Sequence, residues 1–261
     1  MSCSVTIIIP ALNCRDALVR TLDSIRQHHA IDIQCLVVDG GSTDGTQALL
    51  QESGDVVSGW ISRSDGGIYE AMNTGVSMSS GRWTAFIGAG DTYTSVGLPA
   101  VLKSAANSPD AIIYGDYSIV RKDGSAFKRH TNINAISRSM SAVGHATMFV
   151  PTQILRDRPF DQSLKIAADY EFALYCYKRG IKFVHCGQTI VSLVTGGVSS
   201  GSNTLREVRE VHGRYFGRRF AYYRFLLARS KLAWFGIRGL ALRRVLPQTA
   251  YVRLRNWWNG A

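Results

Sequence analysis

Apolar positions recur along the first 200 residues in two alternating rhythms, and these rhythms predict the elements. Residues 5–9 form a β-branched run closed by Pro10, the pattern of a short buried parallel strand. Over 15–29, Leu18, Leu22 and Ile25 stand at i, i+4 and i+7, which predicts a helix. The next apolar run, 33–38, stops at Asp39. The GGSTDGT turn that follows offers Ser42, Thr43 or Asp44 as the cap of a helix through 46–53. A strand over 56–62, a helix over 67–79 ended by Gly81, and an apolar strand over 83–87 continue the alternation. Such a β-α-β-α order implies a parallel sheet with right-handed crossovers and a site at the carboxyl ends of the strands.

Beyond GAGD (88–91) the pattern predicts a helix over 95–106, strands over 111–119 and 126–130 joined by a KDG turn at 122–124, and a strand over 145–150. Residues 169–179 read as a helix with Tyr170, Ala173, Leu174 and Tyr177 on one face and Gly180 as its C-terminal cap. Strands over 181–185 and 189–194 lead to GGVSSGSN (196–203). From Leu205 onward Arg, aromatic and Leu residues replace strand signals, so the expected organisation is a domain over 1–204 and an appendage over 205–261.

Asp39, Asp65 and Asp91 terminate strands or the loops after them, and Asp169 opens a helix. Any one of these reads equally as a turn former or a cap. Together, on the shared rim of an open sheet, they predict a carboxylate-lined site. Neither G-x-x-x-x-G-K-[ST] nor G-x-G-x-x-G occurs, which disfavours a P-loop nucleotidase and a standard dinucleotide fold. Carboxylates facing a phosphorylated ligand need a cation between them, and Mg²⁺ or Mn²⁺ suits one or two carboxylates plus diphosphate oxygens. The five cysteines contain no C-x-x-C, so they read as buried thiols of a reducing compartment and not as a zinc site.

With these motifs assembled, the chain resembles a family 2 glycosyltransferase of the GT-A fold. The segments that carry the likeness are VTIIIPALN (5–13), CLVVDGGSTDGT (35–46), SDGGIYEAMNTGVSMSSGRWTAFIGAGD (64–91) and KIAADYE (165–171). The DGGIYEAMN…GAGD form resembles the branch acting in bacterial polysaccharide and lipid-linked oligosaccharide synthesis. The resemblance implies a Rossmann-like, mixed, mostly parallel sheet flanked by helices. It also implies an inverting transfer from a nucleotide-diphosphate sugar, a UDP-sugar by preference, to a lipid-linked saccharide.

Residue by residue, it implies that Pro10, Ala11 and Asn13 lie along the nucleotide and that Asp39 receives the base edge. Asp65 with Gly66 and Gly67 continues the pocket, Asn73 contacts donor phosphate or sugar, and Gly90 and Asp91 complete the set, Asp91 carrying the divalent cation. Asp169 matches the general base, His145 an acceptor-side histidine, and GGVSS (196–200) a loop that closes over the donor. Read without the resemblance, Asp169 is the N-cap of its helix. Two departures stand out: Ala89 replaces the first acid of the family's D-x-D, and Met72 stands where an Arg is frequent. The degenerate GAGD keeps a second reading open, a non-catalytic subunit that binds a nucleotide-sugar or glycan.

Charge changes the picture of location more than of chemistry. The 261 residues hold 30 Lys+Arg and 19 Asp+Glu, a net +11. Residues 1–205 balance 17 basic against 17 acidic side chains, whereas 206–261 hold 13 basic ones and only Glu207 and Glu210 as acids. Over 220–245 an apolar arc includes Tyr222, Tyr223, Leu226, Trp234 and Ile237, and YVRLRNWW (251–258) adds adjacent tryptophans. Cations beside aromatic and Leu residues suit an interfacial helix on anionic lipid, the favoured reading, with a helix packed on the domain or on a partner as the alternative. No RNA-binding motif accompanies them. No stretch approaches the ~20 apolar residues of a spanning helix, and the N-terminus lacks a leader pattern. The expectation is a peripheral protein on the cytoplasmic face of the inner membrane.

Overall fold

A computed structural model describes residues 5–121, 123–194 and 202–226. The first half runs β1 (Val5–Ala11), α1 (Arg15–Arg26), β2 (Ile33–Asp39), α2 (Thr46–Glu52), β3 (Gly59–Ser62), α3 (Ile68–Met78) and β4 (Trp83–Phe86). The second half adds β5 (Thr92–Tyr93), α4 (Gly97–Asn107), β6 (Ile112–Val120), β7 (Ala126–Arg129), β8 (Phe149–Pro151), α5 (Thr152–Asp157), α6 (Ala168–Lys178), β9 (Phe183–Val194) and α7 (Ser202–Phe216).

The sheet order is β3-β2-β1-β4-β8-β6-β9-β5, with β7 beside β6. Strands β3, β2, β1 and β4 are mutually parallel, β8 runs antiparallel to β4 and to β6, and β6 and β9 are parallel. The mixed, mostly parallel sheet flanked by helices is therefore present. β1 lies between β2 and β4, and its Ile7, Ile8 and Ile9 have no exposed surface. Burial on both faces explains why this strand is continuously apolar and not alternating. Helix α3 lies so close to β1 that a Cβ at Gly75 would sit 2.5 Å from Ile8 Cγ2. Parallel strands leave their carboxyl ends on one rim, so Asp39 and the loops after β1, β3 and β4 share an edge.

Some elements differ from the sequence pattern. The strand expected over 145–150 begins only at Phe149, because His145–Thr147 forms a 3-10 turn in which the Thr147 amide and hydroxyl both donate to Gly144 O. The two strands over 181–194 are one, β9, which pairs with β6 through a register shift at Asp116. β5 and α5 were not anticipated: both are too short to carry a periodic signal. Helix α6 starts at Ala168, so Asp169 is a first-turn residue and not the N-cap.

The chain divides into two compact units, Met1–Val198 and Ser199–Ala261, beside the expected boundary at 204/205. In the second unit, Val211, His212 and Ala221 are buried, and the His212 ring packs edge-on against Phe216 and Phe220. The 196–200 loop, Lys122 of the expected turn, the appendage arc beyond 226 and the 251–258 segment lie outside the described residues.

Candidate functional site

The rim begins where β1 ends. Asn13 takes a left-handed backbone conformation (φ 48°); its N–H donates to Ser42 Oγ (2.7 Å) and its Oδ1 accepts from the Thr43 N–H (2.9 Å). These bonds tie the loop after β1 to the loop after β2. Ala11 is buried and its carbonyl accepts from the Gly40 N–H, while Pro10 pairs in register with Val38. Asp39 was expected to offer its carboxylate to a base. Here it has no exposed surface and accepts from Ser62 Oγ (2.5 Å), the Ser42 N–H (2.9 Å) and Ser42 Oγ. It organises the loop, because a buried carboxylate needs its lone pairs filled.

Asp65, half-buried, reaches the same side. A Cβ at Gly40 would lie 3.5 Å from Asp65 Oδ2 and 3.4 Å from the Cδ1 of Leu12, a leucine left 59% exposed. Asp65 Oδ1 accepts from the Gly67 N–H (3.0 Å), and Gly67, at φ 125°, occupies a backbone region that side chains strain to adopt. This turn delivers Asp65 to the rim and starts α3.

The 88–91 loop is held by Thr21, fully buried on α1. Its hydroxyl accepts from the Gly90 N–H and donates to Asp91 O, both at 2.8 Å. Ala89 packs on the core. The Arg20 guanidinium reaches within 3.6 Å of where a Cβ at Gly90 would stand. Asp91 Oδ1 accepts from the Val194 N–H (2.9 Å), and among the described residues Oδ2 accepts no hydrogen bond. Burial pushes the Asp91 carboxyl above its ordinary range; the Val194 amide and His145 oppose this without offsetting it. A cavity of about 550 Å³ beside this loop is lined by Asn13, Arg15, Ala17, Arg20 and Asp44 among others.

Asp169 and His145 meet with Oδ2 and Nδ1 2.9 Å apart. Asp169 Oδ1 accepts from the Tyr170 N–H (2.7 Å) and lies 3.1 Å from the Tyr69 hydroxyl, which is also 2.8 Å from Ile166 O. Burial alone would raise Asp169, but the His145 charge and hydrogen bond, with the Tyr170 amide and Tyr69, hold it below the ordinary carboxylate range. Burial alone would lower His145. The Asp169 charge and hydrogen bond, aided by Asp91, keep it above its ordinary value instead.

The description Glycosyl transferase family 2 matches residues 6–166, from β1 to the loop before α6. The chain belongs to this family. A PGL/p-HBAD biosynthesis glycosyltransferase of Mycobacterium tuberculosis is 27% identical to it over 177 residues, 66% of this chain and 69% of the relative. An uncharacterized glycosyltransferase of the same species is 28% identical over 248 residues, 88% and 93% of the two chains. Among solved structures, S. aureus TarS 1-349 in complex with UDP-GlcNAc superposes with a TM-score of 0.67 at 16% identity, over 81% of this chain and 65% of that one. The match spans 39% of the longer TarS chain. The mannosyltransferase PcManGT from Pyrobaculum calidifontis, in complex with GDP-Man and Mn²⁺, matches with a TM-score of 0.59 at 14% identity, over 98% and 79%. At these identities the structural likenesses establish the fold.

In this glycosyltransferase the four expected carboxylates fall into two groups. Asp65 lies over Gly40 beside Asp39, while Asp91 and Asp169 are linked through His145, on which both charges act. Asn73 does not reach toward a donor: its amide is spent on Phe160, donating to the carbonyl (3.0 Å) and accepting from the N–H (2.9 Å). Met72 is buried in the core side of α3, so no phosphate partner stands there. Glu171, in the first turn of α6, is buried and pairs with Arg158 at 2.8 and 3.0 Å. Sequence reasoning missed Tyr69 and Thr21. The only signal for Thr21 was a hydroxyl at i+3 from Leu18 on the apolar face of α1.

The family's divalent cation can be weighed against Asp91. Among the described residues no group of three His, Cys, Asp or Glu side chains could enclose a metal ion. Asp91 does leave one carboxylate oxygen without a hydrogen bond in a site where burial disfavours the charge. A hard cation that brings diphosphate oxygens and water as its other ligands fits that donor. No helix among the described residues is long and apolar enough to cross a membrane.

Proposed function

We propose that this glycosyltransferase moves a sugar, with inversion, from a nucleotide-diphosphate sugar to the hydroxyl of a lipid-linked saccharide in cell-surface polysaccharide synthesis. The observation that carries the reading is the arrangement of Asp91, His145 and Asp169: a half-buried, underpaired carboxylate, read here as the donor side, and an oriented Asp–His pair, read as the acceptor side. Inversion requires no covalent intermediate, only a base for the acceptor proton and stabilisation of the departing diphosphate. Asp169 supplies the basicity, and Asp91 would hold Mn²⁺ or Mg²⁺. Bound there, such a cation offsets the charge that develops on the diphosphate. Pro10, Ala11, Asn13, Asp65, Gly67 and Gly90 line the donor side in this reading, with Leu12 presenting an apolar face to the base.

UDP is favoured as the nucleotide, in keeping with the TarS complex, although PcManGT was crystallised with GDP-Man. The 13 basic residues of 206–261 support attachment to an anionic membrane surface on the cytoplasmic side, where a lipid-linked acceptor would be met. Tyr222, Tyr223 and Leu226, exposed on a helical run over 218–226, add apolar area suited to the headgroup boundary. A non-catalytic binding subunit remains the competing reading on account of Ala89. A thermal-shift panel of UDP, GDP and their sugars, with and without Mn²⁺, tests donor and metal together. Stabilisation by a uridine ligand, strengthened by Mn²⁺, is expected; indifference to every member of the panel overturns the reading. Release of UDP from a UDP-sugar would exclude the non-catalytic alternative.

A further inference from the structure

The β6–β7 hairpin sends side chains to two faces, and the two faces treat charge differently. Directly opposed residues share a face, as do residues two apart on a strand, so Tyr117, Ile119, Phe127 and Arg129 stand on one side and Ser118 and Lys128 on the other. On the Lys128 side the charges are matched: Lys128 Nζ lies 3.2 Å and His130 Nδ1 2.9 Å from Asp116 Oδ2. On the opposite side Arg121 and Arg129 lie over the Phe127 ring, 4.6 and 5.5 Å from its centre, and among the described residues neither forms an ion pair. The acid of the connecting turn, Asp123, gives its Oδ1 to the Ser125 N–H (2.9 Å) and hydroxyl (2.6 Å), and Arg121 Nη1 reaches that same hydroxyl oxygen at 3.4 Å.

The Arg129 side leads to the turn that carries His145. A Cβ at Gly144 would lie 3.2 Å from Tyr117 Cε1, and the next residue, His145, stands 2.9 Å from Asp169. Tyr117, buried, is directly opposed to Arg129, whose charge opposes the upward push that burial gives the phenol. A guanidinium stacked on an aromatic face keeps its N–H edge free, and its planar fork matches two phosphate oxygens. Two such groups held on one ring with no acid between them repel one another, and a phosphate that bridges them removes the repulsion.

Resting on the transfer proposed above, we infer that Arg121 and Arg129, arrayed on Phe127, bind the phosphate through which the acceptor saccharide is joined to its lipid. The charged end of the acceptor rests on the hairpin, and its free hydroxyl points past Gly144 toward Asp169. This arrangement selects by charge, because a saccharide without phosphate leaves both guanidiniums unpaired. It also selects by length: β6 and the Gly144 turn fix the separation between hairpin and base, and that separation decides which sugar presents its hydroxyl.

To test this, the full chain is titrated with geranyl diphosphate in a calorimeter, with UDP or GDP and Mn²⁺ at saturation so that the donor side is filled. The wild-type protein should bind the probe, and Arg121→Gln and Arg129→Gln should each weaken it by about tenfold, since each removes a charge-assisted fork. Lys128→Gln takes an equal charge from the other face and should change the affinity by less than about twofold at about 0.15 M salt. A wild-type protein that binds nucleotide but not the probe, Arg variants that bind it unchanged, or an equal loss in Lys128→Gln overturns the inference and leaves the transferase reading standing. So does a probe that the nucleotide displaces, because it then occupies the place of the donor's diphosphate. Arg variants that also fail to sediment with phosphatidylglycerol vesicles assign the pair to a membrane headgroup and overturn it too. If neither nucleotide binds, the transferase reading fails and the inference with it. Phenylglyoxal labelling of the wild-type protein, read by peptide mass spectrometry, needs no variant: the probe should slow labelling of Arg121 and Arg129, and protection confined to other arginines refutes the assignment.

Discussion

Asp116, away from the predicted site residues, offers a quantitative test of what holds the second half of the sheet together. Its side chain is 5% exposed, with Lys128 Nζ at 3.2 Å, His130 Nδ1 at 2.9 Å and His185 Nε2 at 3.1 Å, and it accepts from the Thr131 N–H at 2.9 Å. His185 Nδ1 accepts from the Gly187 N–H, so the ring proton sits on Nε2 and is donated to Asp116. That fixed donor makes the cluster an electrostatic clamp across β6, β7 and β9, and a poor metal site. Burial alone would raise the Asp116 carboxyl, but the Thr131 amide, Lys128 and His185 outweigh it and hold it at about 2, against an ordinary 3.8. At ~1.4 kcal/mol per pH unit the difference stabilises the fold by about 2.5 kcal/mol at neutral pH. Because the folded form binds its proton less tightly than the unfolded chain, the contribution is complete above about pH 4 and fades as the pH falls toward 2. Asp116→Asn keeps the shape and removes the charge. Urea unfolding at pH 7 should show a loss of about 2–3 kcal/mol with an unchanged m-value, shrinking when repeated near pH 3. A loss below about 0.5 kcal/mol at pH 7, or one equally large near pH 3, refutes the reasoning.

Thr21→Val removes the hydroxyl that bonds Gly90 and Asp91; the variant should lose about 1–3 kcal/mol of stability and bind Mn²⁺–UDP more weakly by calorimetry, and an unchanged affinity would separate Thr21 from the site. Gly75→Ala pushes a methyl against Ile8 and should cost about 1–3 kcal/mol in thermal unfolding; a neutral effect would mean that α3 can lift off β1. Glu171→Gln leaves Arg158 without its charge partner and should cost about 3 kcal/mol at pH 7, checked by denaturant titration. The whole chain should sediment with phosphatidylglycerol vesicles, less so at high salt and hardly at all with phosphatidylcholine, whereas truncation after residue 205 should abolish it. Equal sedimentation with both lipids would remove the electrostatic account of the appendage.

Local pattern was enough for much of this protein. β-branched runs closed by Pro10 and Asp39, helical spacing in α1 and the turn chemistry between them specify the parallel half of the sheet, because burial on both faces demands continuous apolar strands. The GAGD departure and the concentration of charge after residue 205 are equally legible, being properties of composition and order alone. Interactions between distant segments were not. Asp39 is closed off by Ser62, 23 residues away, and Asp169 is bordered by Tyr69 across 100 residues and by His145 from a turn that sequence periodicity read as a strand. Asn73 is captured by Phe160, 87 residues on, and Asp116 by groups from two other strands. Each of these carboxylates and amides looked alike in sequence. Their roles differ because a buried polar group takes whichever partners tertiary packing delivers within hydrogen-bonding distance, and that delivery is a property of the folded chain.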